Sequence, residues 1–166
     1  VITMVAGFRP QKDQDTLIRA FTLLPDDKYE MWFVGDGERR AALEQKIKEE
    51  KLNNIHLLGV RNDIPEVLHS SDIIVLSSHY EGLSLSSIEG MCVGKPFIAS
   101  DVDGLHEIVE GAGLLFKDGD YKALANIIEE LMQDKAFYEQ VAASCLDRAK
   151  RYDIKIMIKK YNDLYY

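Results

Sequence analysis

The stretch "DIIVLSSHYEGLSLSSIEGMCVGKPFIAS" (72–100) decides how this chain folds. An apolar run (72–78) leads into a Gly/Ser-rich turn, then a small-residue segment with helical patterning, then a second apolar run (96–100). Two short apolar runs with a helix between them make a strand–helix–strand unit, whose strands lie parallel in one sheet. Parallel strands covered on both faces read as unbroken apolar runs rather than alternating ones, as here.

The same alternation extends outward in both directions. "ITMVAGF" (2–8), "YEMWFVG" (29–35), "NIHLLG" (54–59) and "GLLF" (113–116) read as further strands. Helical patterns fill the gaps: 15–24, with Asp13 as its cap, then 38–51, with Leu43 and Ile47 at helical spacing, then 63–71. From Tyr121 onward the pattern is helical throughout. Leu124, Ile127, Ile128 and Leu131 form one stripe, Tyr138, Val141, Ala142 and Cys145 another, and 152–166 is an amphipathic terminal helix. The expected fold is α/β: a Rossmann-like open parallel sheet of about six strands, with helices on both faces and right-handed crossovers.

Composition narrows the function. Of 166 residues, 46% are hydrophobic and 29% charged, which excludes a disordered chain. No apolar run reaches the ~20 residues of a membrane-spanning helix. Twenty basic against 28 acidic residues give a net charge of −8, which argues against nucleic acid as a partner. An anionic ligand would need a local positive site. Cys92 and Cys145 make neither a disulfide framework nor a metal box; both are expected as buried free thiols in a reducing compartment. The chain starts directly on a strand-like run, as though cut from something longer.

Ligands of such sheets bind beyond the carboxyl ends of the strands, where strand order reverses. After the first strand, Arg9 and Lys12 precede a helix start, a combination suited to a diphosphate or to nothing more than surface charge. After the second, "GDG" (35–37) is a tight turn and not a dinucleotide fingerprint. After the fourth stand Glu81 and, eight residues on, Glu89, with Gly82, Ser84, Ser86 and Ser87 leaving the helix start open. Such a pair fits the two carboxylates of a glycosidase poorly and two contacts along one extended ligand better. Two readings stand for Glu89: a ligand contact, or the closing half of a capping box Ser86-x-x-Glu89. Three D-x-D pairs occur, at Asp13/Asp15, Asp101/Asp103 and Asp118/Asp120; the first reads as helix-start acids and the last as turn residues, Asp101/Asp103 alone are positioned to matter, and no metal site is expected. Among the histidines, His79 alone falls at a ligand-facing strand end, as a supporting residue.

"YEGLSLSSIEGMCVGKPFIASDVDGLHEIV" (80–109) closely resembles the signature of retaining glycosyltransferases of GT-B architecture (group 1, family 4 type), with its E-x7-E from Glu81 to Glu89 and Val93-Gly94-Lys95-Pro96 behind it. "FVGDGERRAAL", "HLLGVRNDIPEVLHSSDIIVLSS" and "GLLFKDGDYKALANIIEEL" are similar to the same family's donor half, so the resemblance covers nearly the whole chain. It implies a single nucleotide-sugar-binding domain over 1–166, whose terminal helix, 152–166, packs toward a missing N-terminal acceptor domain. It also implies the roles. Glu81 lies near the reacting carbon as the catalytic residue. The backbone of Gly82, Leu83, Ser84 and Leu85 meets sugar and diphosphate. Glu89 takes the ribose, Arg9 and Lys12 the diphosphate, and the loop 59–62, with Val60 and Arg61, the base.

The implied donor is a UDP- or GDP-type sugar, with no cofactor and no metal. The implied setting is cytoplasmic, extending to the inner face of the membrane through peripheral contact of the missing domain, in polysaccharide, glycan or glycolipid synthesis. Two departures stand out: Gly7 occupies the place of the family's usual arginine, and Asp103-Gly104 replaces a glycine pair. They keep open a second reading, a non-catalytic module that binds a nucleotide or nucleotide sugar. A nicotinamide-dependent oxidoreductase shares the fold class but lacks its glycine fingerprint.

Overall fold

The computed structural model describes residues 1–165; Tyr166, the last residue of the expected terminal helix, lies outside the described residues. Six strands form one parallel sheet: β1 (Ile2–Val5), β2 (Met31–Val34), β3 (Ile55–Gly59), β4 (Ile73–Leu76), β5 (Phe97–Ser100) and β6 (Leu114–Phe116). Their order is β3-β2-β1-β4-β5-β6. Strand order reverses between β1 and β4, where Ile2 pairs with Ile73 and Thr3 with Ile74.

The helices are α1 (Gln14–Phe21), α2 (Arg40–Glu49), α3 (Ile64–His69), α4 (Leu85–Cys92), α5 (His106–Val109), α6 (Tyr121–Gln133), α7 (Lys135–Lys150) and α8 (Ile154–Tyr165). A single 3-10 turn over Pro10–Lys12 precedes α1. Burial explains why the apolar runs were continuous. Every residue of β4 and β5 is buried, whereas the edge strand β3 buries only Ile55. Each Val, Leu or Ile fully withdrawn from water contributes about 1.5–3 kcal/mol, so the central strands carry the sheet.

The stripes land as read. Leu17, Ile18 and Phe21 bury the inner face of α1, and Leu124, Ile128 and Leu131 that of α6, which packs on α1. Val141 and Cys145 of α7 are buried, and α7 lies along α4. The strands are shorter than the apolar runs because their last residues turn away. Phe8, three residues beyond β1, is fully buried and meets Phe33 edge to face at 6.5 Å. Cys145 is buried, and desolvation pushes its thiol up to about 11. Cys92 corrects the sequence reading: it is exposed, on the solvent side of the last turn of α4. At the other end of the chain, Ile154 and Ile158 of α8 are more than half exposed.

Candidate functional site

The loops after β1 and β4 meet over the reversal point and are stitched together. His79 N–H donates to the Gln11 carbonyl (2.8 Å), and the Gln11 side-chain amide donates to the Tyr80 carbonyl (2.7 Å). Beneath them the Ser77 hydroxyl donates to the Asp13 carbonyl (2.7 Å). This stitching brings Lys12 Nζ to 2.5 Å from Glu81 Oε1. The Ser78 hydroxyl donates to the same oxygen at 2.6 Å. Glu81's side chain is 8% exposed, so an anion that costs free energy to desolvate is held by one cation and one hydroxyl.

A third loop supports the pair. Glu81 N–H donates to the Asp103 carbonyl (3.3 Å), and Gly104 sits against the Glu81–Gly82 backbone in a left-handed conformation (φ 82°). A Cβ on Gly104 would stand 2.2 Å from the Glu81 carbonyl oxygen, so only glycine fits there. The "GDG" turn answers to packing too: a Cβ on Gly35 would stand 2.1 Å from the Ala6 carbonyl oxygen, and one on Gly37 2.5 Å from that of Phe8. Gly82 is different. A Cβ there meets nothing within 4 Å, so packing does not require a glycine.

Helix α4 opens toward this point. Its cap is Ser84, whose hydroxyl oxygen accepts from Ser87 N–H at 3.3 Å. That settles the capping question: the box does not run from Ser86 to Glu89, and Glu89 takes no part in capping. The N–H groups of Leu85 and Ser86 meet no protein acceptor among the described residues, as expected of a helix start that offers donors to an anion. Leu83 and Leu85 themselves are exposed.

Arg9 lies exposed beside Gly7 and has no carboxylate within ion-pair distance among the described residues. Neighbouring arginines are all engaged: Arg39 by Asp15, Arg40 by Glu44 (2.9 Å) and Arg61 by Asp63. Burial pushes the Asp15 carboxyl up, but the hydrogen bonds and charges of Arg39 and Lys46 outweigh it and hold it below the usual value. Arg61 and Asp63, both open to solvent, move each other apart in the same way, through a two-pronged hydrogen bond. The Arg61 guanidinium is therefore paired with the Asp63 carboxylate.

Beyond the ends of β1 and β2 is a hollow of about 240 Å³, lined by Ala6, Gly7, Gly35, Val60, Arg61, Ile64 and Ser86. Next to it, between α3 and α4, runs a cleft of about 370 Å³ bounded by Ile64, Leu68, Glu89 and Cys92. Ile64 borders both. The structure thus gathers Arg9, Lys12, Glu81, the start of α4, Glu89, Val60 and Arg61 on one edge of the sheet. Desolvation, with Glu89 and Asp153 adding to it, keeps the Cys92 thiol protonated above its ordinary range.

Of the D-x-D pairs, Asp101 is joined to His106 (Nδ1–Oδ1 2.6 Å), and that hydrogen bond holds the imidazole above its usual pKa, with Glu110 contributing. Asp120 caps α6 through Ala123 N–H, and Asp13 caps α1 through Thr16 N–H. Asp118 lies in a turn, as read, closed by Asp120 N–H on the Lys117 carbonyl (2.9 Å), and from there its carboxylate also meets His79 at 2.8 Å. Sequence spacing gave no sign of that contact, because the two residues lie 39 positions apart.

Comparison with known proteins follows the same lines. The family described as "Glycosyl transferases group 1" matches residues 1–149. The chain is 30% identical over 176 residues to UDP-Gal:alpha-D-GlcNAc-diphosphoundecaprenol alpha-1,3-galactosyltransferase from Escherichia coli, covering 99% of this chain and 45% of that protein. It is 35% identical over 113 residues to N,N'-diacetylbacillosaminyl-diphospho-undecaprenol alpha-1,3-N-acetylgalactosaminyltransferase from Campylobacter jejuni, covering 67% of this chain and 30% of that one. The crystal structure of Anabaena HepE in complex with UDP-glucose superposes with a TM-score of 0.91 at 29% identity, over 99% of this chain and 48% of that one. The chain spans less than half the length of each of these relatives. Among the described residues no helix is long and apolar enough to cross a membrane.

Proposed function

The chain belongs to the glycosyl transferases group 1 family, and on that premise we propose that it is the donor-binding half of a retaining glycosyltransferase of GT-B architecture. It would move a sugar from a nucleoside-diphosphate sugar to an acceptor in polysaccharide, glycan or glycolipid synthesis. The observation that carries this reading is the largely buried Lys12–Glu81 pair astride the reversal point, next to the open start of α4. A diphosphate placed there meets the Lys12 ammonium, the free Arg9 guanidinium and the N–H groups of Leu85 and Ser86. Those groups stabilise the negative charge that grows on the nucleotide as it leaves. Gly82, which packing leaves open, lets the sugar approach the backbone.

Glu81 faces the sugar and stabilises positive charge as it develops at the anomeric carbon. Bound by Lys12 and Ser78, its carboxylate is fixed in place before the donor arrives. Glu89, free of any capping duty, accepts hydrogen bonds from the ribose hydroxyls in the cleft between α3 and α4. The base occupies the hollow at Val60 and Arg61. UDP is the donor nucleotide we favour, because the solved structures of HepE include complexes with UDP and with UDP-glucose. The chemistry asks for no metal on the diphosphate, since cationic side chains and helix N–H groups supply the charge.

The acceptor belongs to the half of the protein that this chain lacks. Domain limits of 1–166, with α8 leading toward that half, are part of the reading; the exposed Ile154 and Ile158 give α8 an apolar face to bury there. A cytoplasmic site with peripheral contact to the inner membrane face is supported by relatives named for diphosphoundecaprenol-linked substrates. A second reading, a binding module without turnover, draws on the two departures: Gly7 in the place of the family's usual arginine, and Asp103, exposed on the loop that touches Glu81, which adds a negative charge near the diphosphate.

Turnover by the full-length protein separates the two, with NMR of the product's anomeric centre reporting stereochemistry. Retained configuration, and a loss of at least ~100-fold in turnover for both Glu81→Ala and Glu89→Ala, fits the enzyme reading. Inverted product, or unchanged turnover in both variants, refutes it. Nucleotide-sugar binding with no turnover favours the module.

A further inference from the structure

The proposed reaction leaves one cluster unused. The loops after β1, β4 and β6 bring Asp13, His79 and Asp118 together, with one donor atom from each within 4.8 Å of the others. Asp13 uses Oδ1 to cap α1 through Thr16 N–H (3.2 Å). Its Oδ2 is buried, in a residue only 7% exposed, and meets no hydrogen-bond donor among the described residues. A buried carboxylate oxygen without a partner is unfavourable and calls for a cation.

His79 approaches that oxygen: its Nε2 lies 3.8 Å from Asp13 Oδ2, too far for a hydrogen bond. Its Nδ1 lies 2.8 Å from Asp118 Oδ1. Two ligands, each about 2.0–2.2 Å from a metal ion, stand roughly 3.4 Å apart at the tetrahedral angle and about 4.2 Å apart when opposed. The spacing around Asp13 is of that size. His79 meets the two carboxylates through opposite ring nitrogens, so one ion takes a single imidazole nitrogen. His79 and Asp118 are 46% and 40% exposed, which lets their hydrogen bond open and the Asp118 carboxylate swing round to the ion, with solvent completing the coordination shell.

We propose that Asp13, His79 and Asp118 form a binding site for a divalent transition-metal ion. One imidazole with two carboxylates suits ions of the Zn²⁺ and Mn²⁺ type, whereas Mg²⁺ and Ca²⁺ favour oxygen ligands throughout. The ion ties three loops together. Asp13 directly follows Lys12, and His79 stands two residues before Glu81, so the tie sits behind both members of the ion pair. It positions the pair rather than contacting the diphosphate.

The test uses the full-length protein, stripped with a chelator and titrated with Co²⁺ as an optical probe, then with Zn²⁺, in the absence of nucleotide. The expected result is a Co²⁺ absorption band that Zn²⁺ displaces and a melting temperature raised by several degrees at saturation. His79→Gln and Asp118→Asn should each weaken Co²⁺ binding tenfold or more. Asp118→Asn changes an exposed loop and preserves the fold, so the test does not hang on His79→Gln alone. Binding indifferent to both substitutions, or no change in melting with either metal, overturns the proposal. UDP binding is measured separately on the stripped protein, so failure here leaves the donor-site reading intact.

Discussion

Replacing Lys12 with methionine removes a cation while keeping most of the stem, and the structure sets how much this should cost. Nζ lies 2.5 Å from Oε1 of Glu81, with the two side chains 21% and 8% exposed. At an effective dielectric of 20 the gross attraction at that distance is about 6–7 kcal/mol. Desolvation of both groups removes most of it, leaving a net coupling of about 1–3 kcal/mol. Glu81 retains the Ser78 hydroxyl at 2.6 Å, which keeps the loss away from the top of the range for buried pairs. For a domain of this size 1 kcal/mol moves the melting temperature by about 2–4 °C, so Lys12→Met should lower it by roughly 2–12 °C.

Glu81→Gln should cost less, because the freed ammonium reaches water, and the double variant should recover much of the Lys12→Met loss. Thermal unfolding of the wild type, both single variants and the double variant closes the cycle. Additive effects, with coupling under about 0.5 kcal/mol, would refute the claim that these two side chains pair in solution. Lys12→Met should also weaken UDP binding by about 10–150-fold, the 1.5–3 kcal/mol of a hydrogen bond to a charged group.

Glu89→Gln should leave the melting temperature within about 2 °C of wild type, since Ser84 and not Glu89 caps α4, while isothermal titration shows weaker nucleotide binding. Gly104→Ala should unfold at a lower temperature by at least about 4 °C, because its Cβ would collide with the Glu81 carbonyl; Gly82→Ala, with nothing near its Cβ, should melt as wild type does. Asp15 has its carboxyl lowered in the folded protein, so its contribution is present above the unfolded value near 3.8 and is lost as pH falls through the folded value. The melting difference between wild type and Asp15→Asn should therefore be full at pH 7 and shrink once pH drops below 3.8 and through the lowered folded value; a difference that stays full in strong acid contradicts the Arg39–Lys46 assignment.

The sheet was legible because its signal is local. Buried parallel strands such as "IIVL" (73–76) must be apolar throughout, and the helices between them repeat apolar residues every three or four positions. Strand ends were overestimated because the chain continues apolar past β1, with Phe8 buried in the core beyond the ladder. The four-residue α5 escaped notice, being shorter than two helical turns. Of the two readings of Glu89, the capping box at Ser86 falls because the cap is Ser84, two residues earlier; Ser84, Ser86 and Ser87 offer the same hydroxyl and only geometry chooses among them. Cys92 looked apolar by position, yet faces out because α4 offers its buried side through Ser87, Gly90 and Met91. Glu81 and Lys12 stood at strand ends where a ligand would bind, but their direct contact spans 69 residues and leaves no periodic trace. The Asp13–His79–Asp118 cluster draws on three loops and was invisible for the same reason.

Calorimetric titration of the full-length protein with UDP, UDP-sugars and their GDP and ADP counterparts tests the donor site most directly. Saturable heat with one uridine compound bound per chain, much reduced in Lys12→Met, is the expected result. No heat from any of these nucleotides, with the protein folded, would contradict the assignment of this sheet edge to a sugar nucleotide.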